Sequence, residues 1–154
     1  MKVLGFAGFS GSGKTTLVEQ LVRGLRSSGL RVSVVKHAHH QFDVDQPGKD
    51  SWRHREAGAF EVLVASNRRL VLQRQYEQTA EPQVHHLLAE VYDGVDWVLV
   101  EGFKTSDLPK VEVWRPESGA EVLYPEDPFI KAIATNVPDQ IRPTTLRPVP
   151  DLDR

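Results

Sequence analysis

Gly8-Phe9-Ser10-Gly11-Ser12-Gly13-Lys14-Thr15 sets glycines, a lysine and a hydroxyl at the spacing G-x-x-x-x-G-K-[ST]. That arrangement suits a phosphate. Glycines let backbone N–H groups converge on an anion, a lysine reaches the β- and γ-phosphates, and the Thr15 hydroxyl is placed to ligate Mg²⁺. Glycine-rich turns match such a pattern by chance, so the flanks decide. Lys2 to Ala7 is an apolar run that ends in glycines, as a buried strand does. Gly13 to Arg26 carries Leu17, Val18, Leu21, Val22 and Leu25 at helical spacing. Strand, loop and helix in that order aim the helix's positive end at the anion. The expected phosphate-contacting residues are Ser10, Gly11, Ser12, Gly13, Lys14, Thr15 and Thr16.

A nucleotide site of this kind also needs an acid at the end of a neighbouring strand. Glu101 closes the apolar run Trp97-Val98-Leu99-Val100, where open α/β sheets place their ligands. Glu101 and Thr15 are therefore the expected metal ligands. Asp45 is a third candidate, for the metal or for the chemistry, on a segment that a nucleotide orders; the alternative is a turn carboxylate before Pro47-Gly48. Asp96 starts the same strand and should face away. His37, His39 and His40 invite a transition-metal reading, but without cysteine they read as hydrogen-bonding or phosphate-facing groups. His85 and His86 read as structural or solvated. Lys49, Arg53 and Arg55 read as a basic helix face, with a second phosphate as the alternative. Trp52, Trp97 and Trp114 read as packing anchors.

The elements that must position these groups alternate between strand and helix. Gly29 suits a left-handed cap after the first helix. Strands are expected at Arg31 to Lys36, Phe60 to Ala65, Leu70 to Gln73, Trp97 to Val100, Lys110 to Trp114 and Phe129 to Thr135, with the second and third of these forming a hairpin. Short helices are expected from Asp50 or Ser51 to Ala57 and from Pro82 to Tyr92. The pattern predicts an α/β fold with a mainly parallel sheet and helices on both faces. One domain is expected over residues 1–137. Residues 138–154, rich in proline (Pro138, Pro143, Pro148, Pro150), belong to it as an extended, surface-bound tail.

Composition bounds the function. The 154 residues contain no cysteine, which excludes a disulfide scaffold, a cysteine-bound metal centre and a thiol nucleophile. A formal net charge of −2 gives no global field for nucleic acid or anionic membranes. The N-terminal apolar run dissolves into Gly and Ser before Lys14, so no signal peptide is expected, and Trp97 to Phe103 is too short to span a bilayer. A cytoplasmic protein is expected.

Beyond the phosphate loop, the sequence resembles the MobB family of molybdopterin guanine dinucleotide biosynthesis adaptors, P-loop NTPase-like proteins. The resemblance rests on Lys36-His37-Ala38-His39-His40, Asp43 to Ser51, Arg55-Glu56-Ala57-Gly58-Ala59, Val64-Ala65-Ser66 and Val98-Leu99-Val100-Glu101-Gly102-Phe103-Lys104, and runs from Met1 to about Val137. It implies GTP and Mg²⁺ as ligands, weak GTPase activity at most, and a homodimer. The implied partner is the molybdenum cofactor guanylyltransferase that attaches GMP to molybdopterin; direct contact with molybdopterin is left open. Guanine would be read at Thr135 and Asn136, where the family usually carries Asp; an Asn offers only its carbonyl as acceptor. Family members commonly end in a helix, near whose start this chain stops. Two other functions share the loop: a small-molecule or nucleoside kinase, and a metal-delivery GTPase.

Overall fold

The computed structural model describes residues 1–141 and the backbone of 147–150. Its elements, in chain order, are strand β1 (Lys2–Ala7), helix α1 (Lys14–Ser27), β2 (Val32–Lys36), α2 (Asp50–Glu56), β3 (Glu61–Ala65), β4 (Leu70–Arg74), α3 (Val84–Glu90), β5 (Trp97–Glu101), β6 (Lys110–Val113), β7 (Ile130–Thr135) and β8 (Arg147–Pro150). Contacts divide the chain into two units, one of Met1–His37 with Gln83 onward, the other Ala38–Pro82.

In the first unit six strands form one sheet in the order β2-β5-β1-β6-β7-β8, and every pairing is parallel. Side chains alternate between its faces, as strand geometry requires. Phe6 and Leu99 pack on one face against Leu17 and Val18 of α1. Val98 and Val100 pack on the other against Val84 of α3. Strands apolar on both faces thus carry a helix on each side, as parallel sheets do. Helix α1 stops where expected: Gly29 has φ +79°, its N–H donates to Arg26 O at 3.0 Å, and Leu30 N–H donates to Leu25 O at 3.1 Å.

Chain order reverses at β1, from which the connection leads out to β2 while β6 and β7 lie on the opposite side. Such a reversal opens a crevice at the carboxyl ends of the strands. Register brings those ends level: Phe6 and Lys36 both pair with Glu101, and Ala7 pairs with Glu112.

Neither connection flanking β6 contains an α-helix, so backbone groups there need other partners. Two fully buried charges on β6 supply them. The Lys110 ammonium donates to Lys104 O at 3.0 Å and to Ser106 O, and it pairs with Asp127 at 2.8 Å. The Glu112 carboxylate accepts from Leu123 N–H at 2.7 Å and Tyr124 N–H at 2.9 Å. Burial pushes the Glu112 carboxyl above its ordinary value, and the two N–H donors oppose that shift. Glu112→Gln sets an amide NH₂ against one of these donors. It should cost about 1–3 kcal/mol, the penalty of an unsatisfied buried pair, read as a lower urea midpoint with unchanged slope.

Three local expectations need correction. Neither Asp50 nor Ser51 caps α2: Lys49 stands at that position with extended backbone, and the Ser51 hydroxyl donates instead to Asp45 Oδ1 at 2.9 Å. Helix α3 begins at Val84 after Gln83, so Pro82 precedes it. The tail does not merely lie on the surface: β8 pairs with β7, Pro148 opposite Ile133 and Pro150 opposite Thr135. Prolines lack an N–H and suit such an edge strand. Pro143 and residues 151–154 lie outside the described residues.

The second unit holds the β3–β4 hairpin, with Leu63 opposite Leu72 and Ala65 opposite Leu70, and helix α2. Arg55 is its polar hub. It makes two bonds to Asp43, at 2.8 and 2.9 Å, and lies 3.4 Å from Asp45 Oδ2. Its guanidinium draws the Asp43 carboxyl down to about 2. Arg55 is thus committed to internal carboxylates rather than standing on a solvated basic face.

Candidate functional site

Strand β1 delivers the chain into a loop that only glycine can build at its ends. Gly8 has φ +145°, and a Cβ there would lie 2.4 Å from Val113 O and 2.9 Å from Ser12 Oγ. Gly13 has φ +97° and directly precedes α1, whose first turn has no side-chain cap and no acidic residue. An uncapped fourteen-residue helix presents its N-terminal partial positive charge to the loop.

Lys14 folds back over the loop, donating to Gly8 O at 2.7 Å and Phe9 O at 2.9 Å. Burial lowers its pKa, Lys104 and Lys36 add repulsion, and Glu101 opposes them. Thr15 Oγ1 donates to Glu101 Oε1 at 2.6 Å, so the two expected metal ligands meet, although 86 positions separate them in the chain. Glu101 is 8% exposed, and Lys36 Nζ lies 3.9 Å from its Oε1. Asp96 sits at the other end of β5, accepting from Arg31 N–H at 2.7 Å.

These residues fit a magnesium-bound polyphosphate. Ser12 Oγ is buried without a hydrogen-bond partner, and Gly8 lets the loop backbone pass against Val113 O, where a Cβ would clash. A hydroxyl and a carboxylate are hard oxygen donors, the kind Mg²⁺ prefers.

Sequence reasoning missed Arg115, which follows β6. A Cβ at Gly13 would sit 3.4 Å from the Arg115 guanidinium. Arg115 lines a cleft with Gly13, Thr16, Leu17, Gln20, Val113 and Ala134. Its position follows from the strand order, which sets β6 beside β1, and residue spacing alone carries no signal for it. Lys104 was missed as well; its Nζ lies 4.3 Å from the Phe9 ring centroid.

The remaining candidates are spread over both units. Thr135 is buried at the end of β7, and its hydroxyl accepts from Val137 N–H at 3.2 Å; Asn136 beside it is exposed. Asp45 belongs to the second unit, where its Oδ1 accepts from Ser51 and, at 2.7 Å, from Gln73. His37 stacks on Phe103 with ring centroids 4.5 Å apart. Among the described residues, no three His, Asp or Glu side chains cluster as a metal site would require.

Loop, uncapped helix and strand-end acid on a parallel sheet define a P-loop NTPase-like α/β protein. Within that class, the family model described as molybdopterin guanine dinucleotide synthesis protein B, MobB, matches residues 3–136, and the chain belongs to the MobB family. It is 44% identical over 146 residues to the molybdopterin-guanine dinucleotide biosynthesis adapter protein of Haemophilus influenzae, spanning 94% of this chain and 80% of that one. The protein of the same description from Escherichia coli is 38% identical over 140 residues, spanning 88% and 79%. The crystal structure of Bacillus subtilis MobB superposes with a TM-score of 0.75 at 23% identity, covering 100% of this chain and 91% of that one, and shows the shared fold. A MobB homolog from Bacillus stearothermophilus gives 0.69 at 29% identity, covering 99% and 88%.

Proposed function

We propose that this protein is a GTP-binding adaptor in molybdopterin guanine dinucleotide biosynthesis. It assists a molybdenum cofactor guanylyltransferase that attaches GMP to molybdopterin, and hydrolyses GTP weakly at most. The observation that carries this reading is the meeting of Thr15 and Glu101 beneath the loop Gly8–Thr15, in a chain of the MobB family. Ser10, Gly11, Ser12, Gly13, Lys14, Thr15 and Thr16 would hold the phosphates, and Thr135 and Asn136 the base. Mg²⁺, when bound at Thr15 and Glu101, supplies charge neutralisation between phosphate oxygens. Asp45 stays the further candidate for the metal or the chemistry; within its own unit its Oδ1 is engaged by Ser51 and Gln73 and its Oδ2 lies 3.4 Å from Arg55.

A homodimer is part of the proposal. One face of the β3–β4 hairpin exposes Leu63, Leu70 and Leu72, an apolar patch that a second copy would cover. A cytoplasmic setting agrees with the absence of cysteine; among the described residues, no helix is long and apolar enough to cross a membrane.

Thermal shift with GTP, with and without Mg²⁺, tests the site. At a hundred times its dissociation constant GTP should stabilise the protein by about 2.7 kcal/mol. Glu101→Gln should remove most of the Mg²⁺-dependent part of that gain and little of the rest. Equal losses in both conditions would take Glu101 out of the metal site.

A further inference from the structure

The turn after β5 is held in an unfavourable conformation next to the phosphate loop. Phe103 has φ +51°, the one non-glycine residue in the left-handed region among those described. A bulky side chain adopts that conformation only where its surroundings enforce it. Here they do. The Phe103 ring stacks on His37 and packs against the core of Val98, Val100 and Leu108. At Gly102, φ +96°, any Cβ would come within 2.9 Å of His37 Cβ.

The next residue is fixed from below. The buried Lys110 ammonium takes the carbonyls of Lys104 and Ser106 and is itself anchored by Asp127. Ser106 N–H closes the turn onto Phe103 O at 2.9 Å. With its backbone set, Lys104 extends its ammonium to the ring of Phe9, inside the phosphate loop. Phe9 is 37% exposed, so a ring face is open to the ammonium.

Lys36 lies 3.9 Å from Glu101, and Glu101, Lys104 and Lys36 all act electrostatically on Lys14, in a chain whose net charge is −2. Three ammoniums against one carboxylate leave a local surplus of two positive charges, a surplus that a phosphate group of about −1.5 to −2 would balance.

We propose that Lys104 is a second phosphate ligand, presented over Phe9 by the turn that Lys110 anchors, and that it reads the terminal phosphate of a triphosphate. The inference rests on the nucleotide-binding reading above and adds to it a residue that separates GTP from GDP. A cation fixed outside the loop can select the longer phosphate chain, whereas loop amides hold both.

Calorimetric titration of GTP and GDP at one free Mg²⁺ concentration tests this on the parent, Lys104→Ala and Lys104→Arg. The Lys104 side chain is exposed, so its truncation leaves the core intact. Lys104→Ala should weaken GTP binding about tenfold or more and GDP binding by less than about twofold, the loss of one charge-assisted bond. Lys104→Arg should restore most of the difference. Equal losses for both nucleotides, or none, would overturn the assignment. Inorganic tripolyphosphate and pyrophosphate repeat the comparison without the nucleoside. Failure of guanine nucleotides to bind the parent would defeat the GTP reading while these anions still reported on Lys104; an unchanged tripolyphosphate affinity in Lys104→Ala would then refute the proposal.

Discussion

Lys14→Ala should all but abolish nucleotide binding and leave the melting temperature of the unliganded protein almost unchanged. The lysine's partners are two carbonyls of its own loop, Gly8 O and Phe9 O. Both are neutral acceptors, and phosphate oxygens compete with them on favourable terms because charge-assisted bonds are roughly twice as strong. Removing the ammonium takes away a point charge placed against the β- and γ-phosphates, and the relief of its repulsion with Lys36 and Lys104 offsets only part of that loss. The expected loss is about 3 kcal/mol or more, a hundredfold or greater change in dissociation constant. Fold stability hardly moves, because Lys14 is partly buried and leaves two carbonyls near solvent. A variant that bound GTP as tightly as the parent would remove the loop from the function.

The loop was legible because its chemistry is local. Glycines at Gly8 and Gly13, the lysine and the hydroxyl lie within eight consecutive positions, and their conformations follow from residue type. Strand β1 was read to the residue, and most other strands and helices to within two at each end, because both faces of the sheet are apolar and the periods of 2 and 3.6 are undiluted. Glu101 was legible for a topological reason: an acid at the carboxyl end of an apolar strand faces the crevice wherever that strand neighbours β1.

The rest depends on partners distant in sequence. Lys110 and Glu112 are charged residues at alternate positions of a strand, and nothing in their types announces that both are buried. Their role emerges only once the connections around β6, which contain no α-helix, present unpaired carbonyls and N–H groups. Arg115 could not be placed beside Gly13 without the strand order that sets β6 next to β1. The strain at Phe103 has no sequence signature at all, because nothing in a Gly-Phe-Lys triplet announces a left-handed phenylalanine. Asp50 and Ser51 misled for a local reason: both are good caps, but Ser51 spends its hydroxyl on Asp45 instead.

The isolated protein is expected to turn GTP over slowly. Phosphoryl transfer needs a group that positions and activates the nucleophile, in addition to cations around the phosphates. In the first unit the carboxylate at the loop is Glu101, and it is already committed to Thr15 and Lys36. Asp45, the other candidate, has Oδ1 bound to Ser51 and Gln73. Cations such as Lys14 and Lys104 tighten the ground state, and tight uniform binding does not raise turnover. Multiple-turnover release of phosphate from GTP by the purified protein, with Mg²⁺ and no partner, therefore tests the adaptor account most directly. The account predicts a rate well below the roughly 1–100 s⁻¹ typical of kinases, and turnover within that range by the isolated protein would contradict it.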